Sequence, residues 1–341
     1  MKKKIAVIVA AHGEAETPSF LENYQVTKQT MSHAAAVMPV PKPLQTLIAI
    51  TSGVRNGVNW SIDGYRSPHN QNTREQAAAI KDGLEKQEAA KNVHFDVFPA
   101  FFASPPFVED VIQSTAHYDG QIVASMTPIE SRLSCGLVCH YLTENGHVHD
   151  LNKIKILTQH WKHDEVTRIL VDHIFGARAF KANSRDESRA LLLVLHGTLQ
   201  KDTNGNPPGF HAGLDETLSF AEKLKQAVLN DKRNFYGQVI PVYLNHEVGG
   251  KWTEPSLENA LKKLHKEKVR HVALFPCGYF VDGSETTGRA KKELFKSGIR
   301  NAIYIDSINS EPEFISYFVK RISSAAQSIL KWKELQENIT V

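Results

Sequence analysis

Apolar residues recur along this chain in two rhythms: short unbroken runs, and longer stretches in which they return every third or fourth position. Runs of the first kind predict strands covered on both faces, and stretches of the second kind predict amphipathic helices. The run Ile5 to Ala11 opens the chain, and a near twin, Ala190 to Leu195, opens its second half. Each leads into His-Gly, at His12-Gly13 and His196-Gly197. Helical periodicity follows at Thr73 to Gln87 and Leu214 to Leu229. Second strands are predicted at Phe95 to Ala100 and Gln238 to Leu244, then helices entered through proline at Pro106 to Ser114 and Pro255 to Lys266. Third strands at Gln121 to Thr127 and Val272 to Tyr279 precede helices near Leu133 to Asn145 and Glu285 to Ser297, with Gly146 and Gly298 as closing residues. Fourth strands at Ile154 to Thr158 and Ala302 to Asp306, and closing helices near Asp164 to Phe175 and Glu313 to Leu330, complete each copy.

Such a repeat predicts an α/β protein with two similar Rossmann-like lobes, each a parallel four-stranded sheet flanked by helices, because parallel strands are joined by crossover helices. The N-terminal lobe is expected over residues 1–180 and the C-terminal lobe over 181–341. An active cleft is expected between them, at the carboxyl ends of the strands. Copy one departs from copy two by an insertion over about residues 17–62, too long for a plain loop. It holds Phe20, Leu21, Met31, Met38, Pro39, Pro41, Pro43 and Trp60, which suit a broad apolar ring.

Composition narrows the function. With 341 residues, 41% hydrophobic and 23% charged, the chain has room for two cores and reads as globular. A formal charge of +3, with Lys and Arg dispersed along the sequence, argues against a nucleic-acid partner and for small molecules. Three cysteines, Cys135, Cys139 and Cys277, are too few for a four-cysteine zinc or iron-sulfur site and fit an intracellular, cytoplasmic protein. The start, Met1-Lys2-Lys3-Lys4 followed by an apolar run, imitates a secretory leader, but the same run recurs at Ala190, so it is read as a strand.

Two groups stand out chemically. His196 ends an apolar run, where ligands bind in open α/β sheets, and an imidazole there has the ordinary pKa of a general base. Glu285 opens a helix, behind Ser284 as a cap, and the helix dipole alone accounts for a carboxylate there. Glu293, eight residues on, falls on nearly the same helical face. Glycine-rich phosphate fingerprints are not found.

The strand-end His196-Gly197 and the octet Tyr279-Phe280-Val281-Asp282-Gly283-Ser284-Glu285-Thr286 resemble the ferrochelatase family, whose glutamate lies in a Phe-x-x-Asp-x-x-Glu-Thr pattern. Tyr279 takes the Phe position. Gly64-Tyr65-Arg66-Ser67-Pro68, followed by Thr73 and Gln76, is similar to the family's Gly-x-x-Ser-Pro segment, and Met38 to Leu44 to its lip loop. The resemblance implies a chelatase-like enzyme that inserts Fe²⁺ into a porphyrin, protoporphyrin or coproporphyrin, with no cofactor beyond the iron substrate and no iron-sulfur cluster. It implies His196 as the base and Glu285 facing it across the porphyrin, both as metal ligands together with Glu293.

His12, Arg66, Ser67, Ser131 and Trp252 would contact the porphyrin, Arg66 and Ser67 through its propionates. For Trp252 a core role is equally open, and for His12 a role in ordering its loop. A monomer is expected, with the lip leaving room for a peripheral membrane contact. Three positions depart from the family pattern: Arg289 where a carboxylate is common, and Gly283 and Ile129 where histidines are common. An imidazole at His12 also resembles the related sirohydrochlorin chelatases, which take cobalt, iron or nickel, and the absent carboxylate at Arg289 leaves a non-catalytic tetrapyrrole or metal carrier open.

Overall fold

The computed structural model describes residues 2–35, 40–87, 92–177, 186–246 and 249–339. They form two compact units: Met1–Met126 with Arg132–Thr158 and Ser310–Val341, and Thr127–Ser131 with Gln159–Asn309. The first unit holds strands β1 (Lys3–Ala11), β2 (Val93–Phe101), β3 (Gly120–Ser125) and β4 (Ile154–Leu157) in the order β2-β1-β3-β4. All of its pairs are parallel. The second unit holds β5 (Asp186–His196), β7 (Tyr236–Leu244), β9 (His271–Phe275) and β10 (Asn301–Tyr304) in the order β10-β9-β5-β7, again all parallel. Counted within its own unit, each sheet runs second, first, third, fourth. The α/β repeat is therefore real in topology as well as in sequence. A short antiparallel pair, β6 (Leu199–Lys201) with β8 (Lys251–Trp252), is added to the second unit.

The unbroken apolar runs have the expected cause. Ile5 to Ala11 and Ala190 to Leu195 are all at most 1% exposed, because helices cover both faces of a parallel sheet. In the first unit, helices α4 (Val108–Ser114) and α5 (Cys135–Glu144) lay Val108, Ile112, Val138 and Leu142 on Ile8, Ala10 and Val123. In the second, α8 (Leu257–Lys266) lays Leu257, Leu261 and Leu264 on Val194, Val242 and Leu274. The equivalence reaches single hydrogen bonds: Phe101 N donates to Pro106 O, and Tyr243 N to Pro255 O.

Several element ends differ from the sequence reading by a few residues, and three of the differences have a chemical cause. The third strand of the second unit stops at Phe275 rather than Tyr279, because Pro276 has no N–H to continue a ladder. The helix expected from Glu285 begins as a π-helical turn, Ser284–Ala290, in which Lys291 N reaches back five residues to Thr286 O, and continues as α9 (Lys291–Lys296). Gly298 closes it in the left-handed region at φ 76°. Gly146 has no such role, since Asn145 ends α5 and its side-chain amide satisfies Tyr141 O at 2.9 Å.

The insertion folds as two helices, α1 (Phe20–Ala35) and α2 (Lys42–Asp63). Met38 and Pro39 lie outside the described residues. The contact between the helices is made by small residues of α2: a Cβ at Gly53 would stand 3.1 Å from the Phe20 ring. The bulky aliphatics Leu44, Leu47, Ile50, Val54, Val58 and Ile62 are all exposed. Among the described residues no helix is long and apolar enough to cross a membrane.

The closing helices are exchanged. Helix α6 (Asp164–Gly176), from the end of copy one, packs on α7 (Leu214–Asn230) of the second unit. Helix α10 (Pro312–Ile339), from the end of copy two, packs on α3 (His69–Lys86), β3 and β4 of the first. There Gly83 and Gly120 make room for Val319 and Ile329, whose methyls would lie 2.6 Å and 2.8 Å from an added Cβ. A boundary near residue 180 thus separates the two sheets but not the helices that complete them. Periodicity shows that a helix has an apolar face and not which sheet that face covers.

Candidate functional site

Three neighbouring strands of the second unit deliver side chains to one point at their carboxyl ends. β5 ends in His196, which lies opposite Leu244 in the register with β7. Two residues beyond Leu244 comes His246, and the segment leaving β9 leads to Glu285. The His196 and His246 Nε2 atoms are 3.0 Å apart. Glu285 places Oε2 3.8 Å from His196 Nε2 and Oε1 3.7 Å from His246 Nε2. Among the described residues this is the grouping of three or more His, Cys, Asp and Glu with donor atoms within 4.8 Å of one another.

Glycine makes the approach of the two imidazoles feasible. Gly197 N donates to Leu244 O at 2.9 Å, and a Cβ at Gly197 would lie 2.6 Å from that oxygen and collide with the Asn245 side chain. Gly197→Ala is therefore expected to push the Asn245-His246 segment away from His196. The cost should be about 1–3 kcal/mol of overpacking, read in a urea titration, with weaker divalent-metal binding in parallel. Wild-type stability and metal affinity together in that variant would contradict the tight approach.

The donor atoms are prepared for a cation. His196 Nδ1 lies 2.7 Å from Gly197 O, a contact that requires its proton on Nδ1 and turns Nε2 toward His246 Nε2 and Glu285. Desolvation, helped by the neighbouring His196 and Arg289 and opposed by Glu285, holds the His246 pKa below the ordinary imidazole value, so this ring is neutral near pH 7. Two-fifths of its side chain still meets solvent, while its ring stands edge-on to Trp252 at 5.6 Å. Tyr279 donates its hydroxyl to Glu285 Oε2 at 2.8 Å and so orients the carboxylate. Donors about 2.1 Å from a shared ion and 3.0 to 3.8 Å from each other subtend roughly 90° to 130°. One divalent ion fits among them.

The geometry corrects one expectation. At 3.8 Å, His196 and Glu285 sit side by side, and no macrocycle can lie between them. They leave adjacent strands of one sheet, β5 and β9, and so serve one side of any ligand. Glu293 is not brought into the grouping. Its Oε1 accepts from Arg289 Nε at 2.9 Å, and its Oε2 is shut off from solvent. Ser131 lies beside Gly213 at the start of α7. In the first unit His12 is exposed and its carbonyl accepts from Ala103 N at 2.8 Å. Arg66 is exposed, whereas Ser67 is buried with its hydroxyl donated to the Glu14 carboxylate.

His246 is the member of this grouping that sequence reasoning missed. It follows a polar Asn245 rather than ending an apolar run, so it carries no strand-end signature. The one available signal was its place two residues past the second strand of a copy whose first strand already ends in histidine.

Comparison with known proteins agrees with the motif reading. The sequence model of the ferrochelatase family matches residues 4–326. The chain belongs to the ferrochelatase family. It is 23% identical over 252 residues to the ferrochelatase of Campylobacter concisus (strain 13826), covering 71% of this chain and 75% of that one. SirB from Bacillus subtilis, solved with Fe³⁺, superimposes with a TM-score of 0.52 at 12% identity, covering 95% of this chain and 96% of that one, and shares the fold. A multi-domain protein from Deinococcus radiodurans with structural similarity to chelatases gives a TM-score of 0.49 at 12% identity. The chain covers 56% of that protein's length, and 96% of the chain itself is matched.

The family pattern Phe-x-x-Asp-x-x-Glu-Thr can now be read physically in this chain. Asp282 is 4% exposed and lies outside the His196-His246-Glu285 grouping. Its Oδ1 accepts from Tyr304 (2.6 Å), Thr286 (3.0 Å) and Ser307 (3.1 Å) hydroxyls, and its Oδ2 from Ser307 N (3.1 Å) and Asn309 Nδ2 (2.9 Å). Thr286 Oγ1 in turn accepts from Gly283 N at 2.8 Å. Asp282 and Thr286 therefore anchor the turn, and Glu285, between them, is presented to the histidines.

Proposed function

We propose that this metal chelatase inserts ferrous iron into a porphyrin carrying two or four carboxylates, releasing heme or coproheme and two protons. The observation that carries the reading is the convergence of two imidazole nitrogens and one carboxylate at a sheet edge, with His196 Nδ1 committed to Gly197 O and its Nε2 facing the other two donors. Insertion needs an acceptor for pyrrole protons and a donor set that releases the metal to four ring nitrogens. His196 fits the first task once the ion has left its Nε2 for the ring nitrogens, and an ion shared beforehand among His196, His246 and the half-buried Glu285 fits the second. Because the three donors share one side, iron and base act from the same face of the ring, and bending the ring toward that face presents its nitrogen lone pairs. Macrocycle strain of roughly 1–5 kcal/mol would be offset by binding the ring's periphery.

The test is an anaerobic assay of Fe²⁺ and Zn²⁺ against protoporphyrin, coproporphyrin and sirohydrochlorin. Iron insertion into a porphyrin is the expected result. The second imidazole favours a second reading, insertion of cobalt, iron or nickel into sirohydrochlorin, since two nitrogens and one oxygen suit those borderline ions. Faster turnover with sirohydrochlorin would select it. No measurable insertion into any of the three would select a tetrapyrrole or metal carrier.

A further inference from the structure

Arg289 stands where an acidic rung between Glu285 and Glu293 would be, and its guanidinium is engaged at two ends. Nε donates to Glu293 Oε1 at 2.9 Å, and Nη1 donates to Asn245 O at 2.9 Å. Asn245 immediately precedes His246. The same residue is held on its other side by Asn245 Nδ2 donating to Thr253 O at 2.8 Å. The backbone that carries His246 is thus fixed from two directions, one of them a charged planar donor with little freedom.

Glu293, meanwhile, has one oxygen accepting from the guanidinium and the other closed to solvent, which leaves it poorly placed to take a hydrated ion. At the other end of the site His196 and His246 expose 50% and 41% of their side chains.

We propose that Arg289 is a positioning residue that holds His246 in place for the metal and closes the carboxylate path along the helix, so that a divalent ion arrives at the exposed imidazole pair. The proposal uses the functional reading only for the ion's destination. Its chemistry is that of a partner behind a ligand, whose loss costs roughly 10- to 100-fold in metal affinity.

Cobalt(II) titration of the full chain without tetrapyrrole, followed by the d–d bands of the bound ion, tests it. Arg289→Ala is expected to weaken Co²⁺ binding by about 10- to 100-fold, and His246→Ala by at least as much. The double variant should bind no worse than His246→Ala, because both changes disable one ligand. Arg289→Gln, which keeps a donor for Asn245 O without the charge, should retain part of the affinity and guards against a misfolded alanine variant. Glu293→Gln should load cobalt at the wild-type rate.

Unchanged cobalt affinity in both Arg289 variants, additive losses in the double variant, or slow loading in Glu293→Gln would each overturn the proposal. Since no tetrapyrrole is present, a protein that shows this cycle yet inserts metal into no macrocycle would support Arg289's role while removing the chelatase reading.

Discussion

Replacing His196 by alanine is expected to abolish metal insertion while tetrapyrrole still binds. The side chain presents Nε2 to the other two donors of the site, since Nδ1 is committed to Gly197 O. Loss of a positioned base alone costs on the order of 10²–10⁴ in rate. Loss of one of the three donors proposed to hold the metal would add to that. Half of the side chain meets solvent, so truncation opens no core cavity and the fold should persist. Insertion rates and tetrapyrrole titrations by absorbance on the same preparation separate the two effects. Normal turnover in the variant would refute the assignment of the base.

Asp282→Ala should produce the largest loss of stability, about 3 kcal/mol or more, because it strips the acceptor from three hydroxyls and two N–H groups inside the second unit. Asp282→Asn should fall between alanine and wild type. Its remaining oxygen can serve Ser307 N and Asn309 Nδ2, which can only donate, while two of the three hydroxyls of Tyr304, Thr286 and Ser307 can turn to accept the two N–H groups of the new amide. Urea midpoints in the order alanine, asparagine, wild type check this. An alanine variant as stable as wild type would show that the network contributes little. Metal binding should fall with stability, since the anchored turn carries Glu285.

Much of this architecture was legible in the residues because a parallel strand buried on both faces leaves an unbroken apolar run. That is why Ile5 to Ala11 and Ala190 to Leu195 disclosed the repeat and put His196 at a strand end. What stayed hidden depends on order across the sheet. Nothing in the spacing of His196 and Glu285 reveals that β9 lies directly beside β5, and that adjacency turns residues expected on opposite sides of a ring into neighbours 3.8 Å apart. His246 was hidden for a related reason: its position becomes meaningful only when β7 is known to flank β5 on the other side. Motif matching alone also could not divide labour within the octet, where Asp282 anchors the turn and Glu285 joins the two histidines.

The exchange of α6 and α10 bears on how the protein is made. Apart from the short piece 127–131, the second unit is drawn from one stretch, residues 159–309, and all of it has been synthesised before α10 emerges. The first unit needs α10, from the far end of the chain, to cover Gly83 and Gly120. On the ribosome, the half translated first therefore completes its packing after the second, and the β3–β4 part of its sheet beside α3 waits uncovered on one face until α10 arrives.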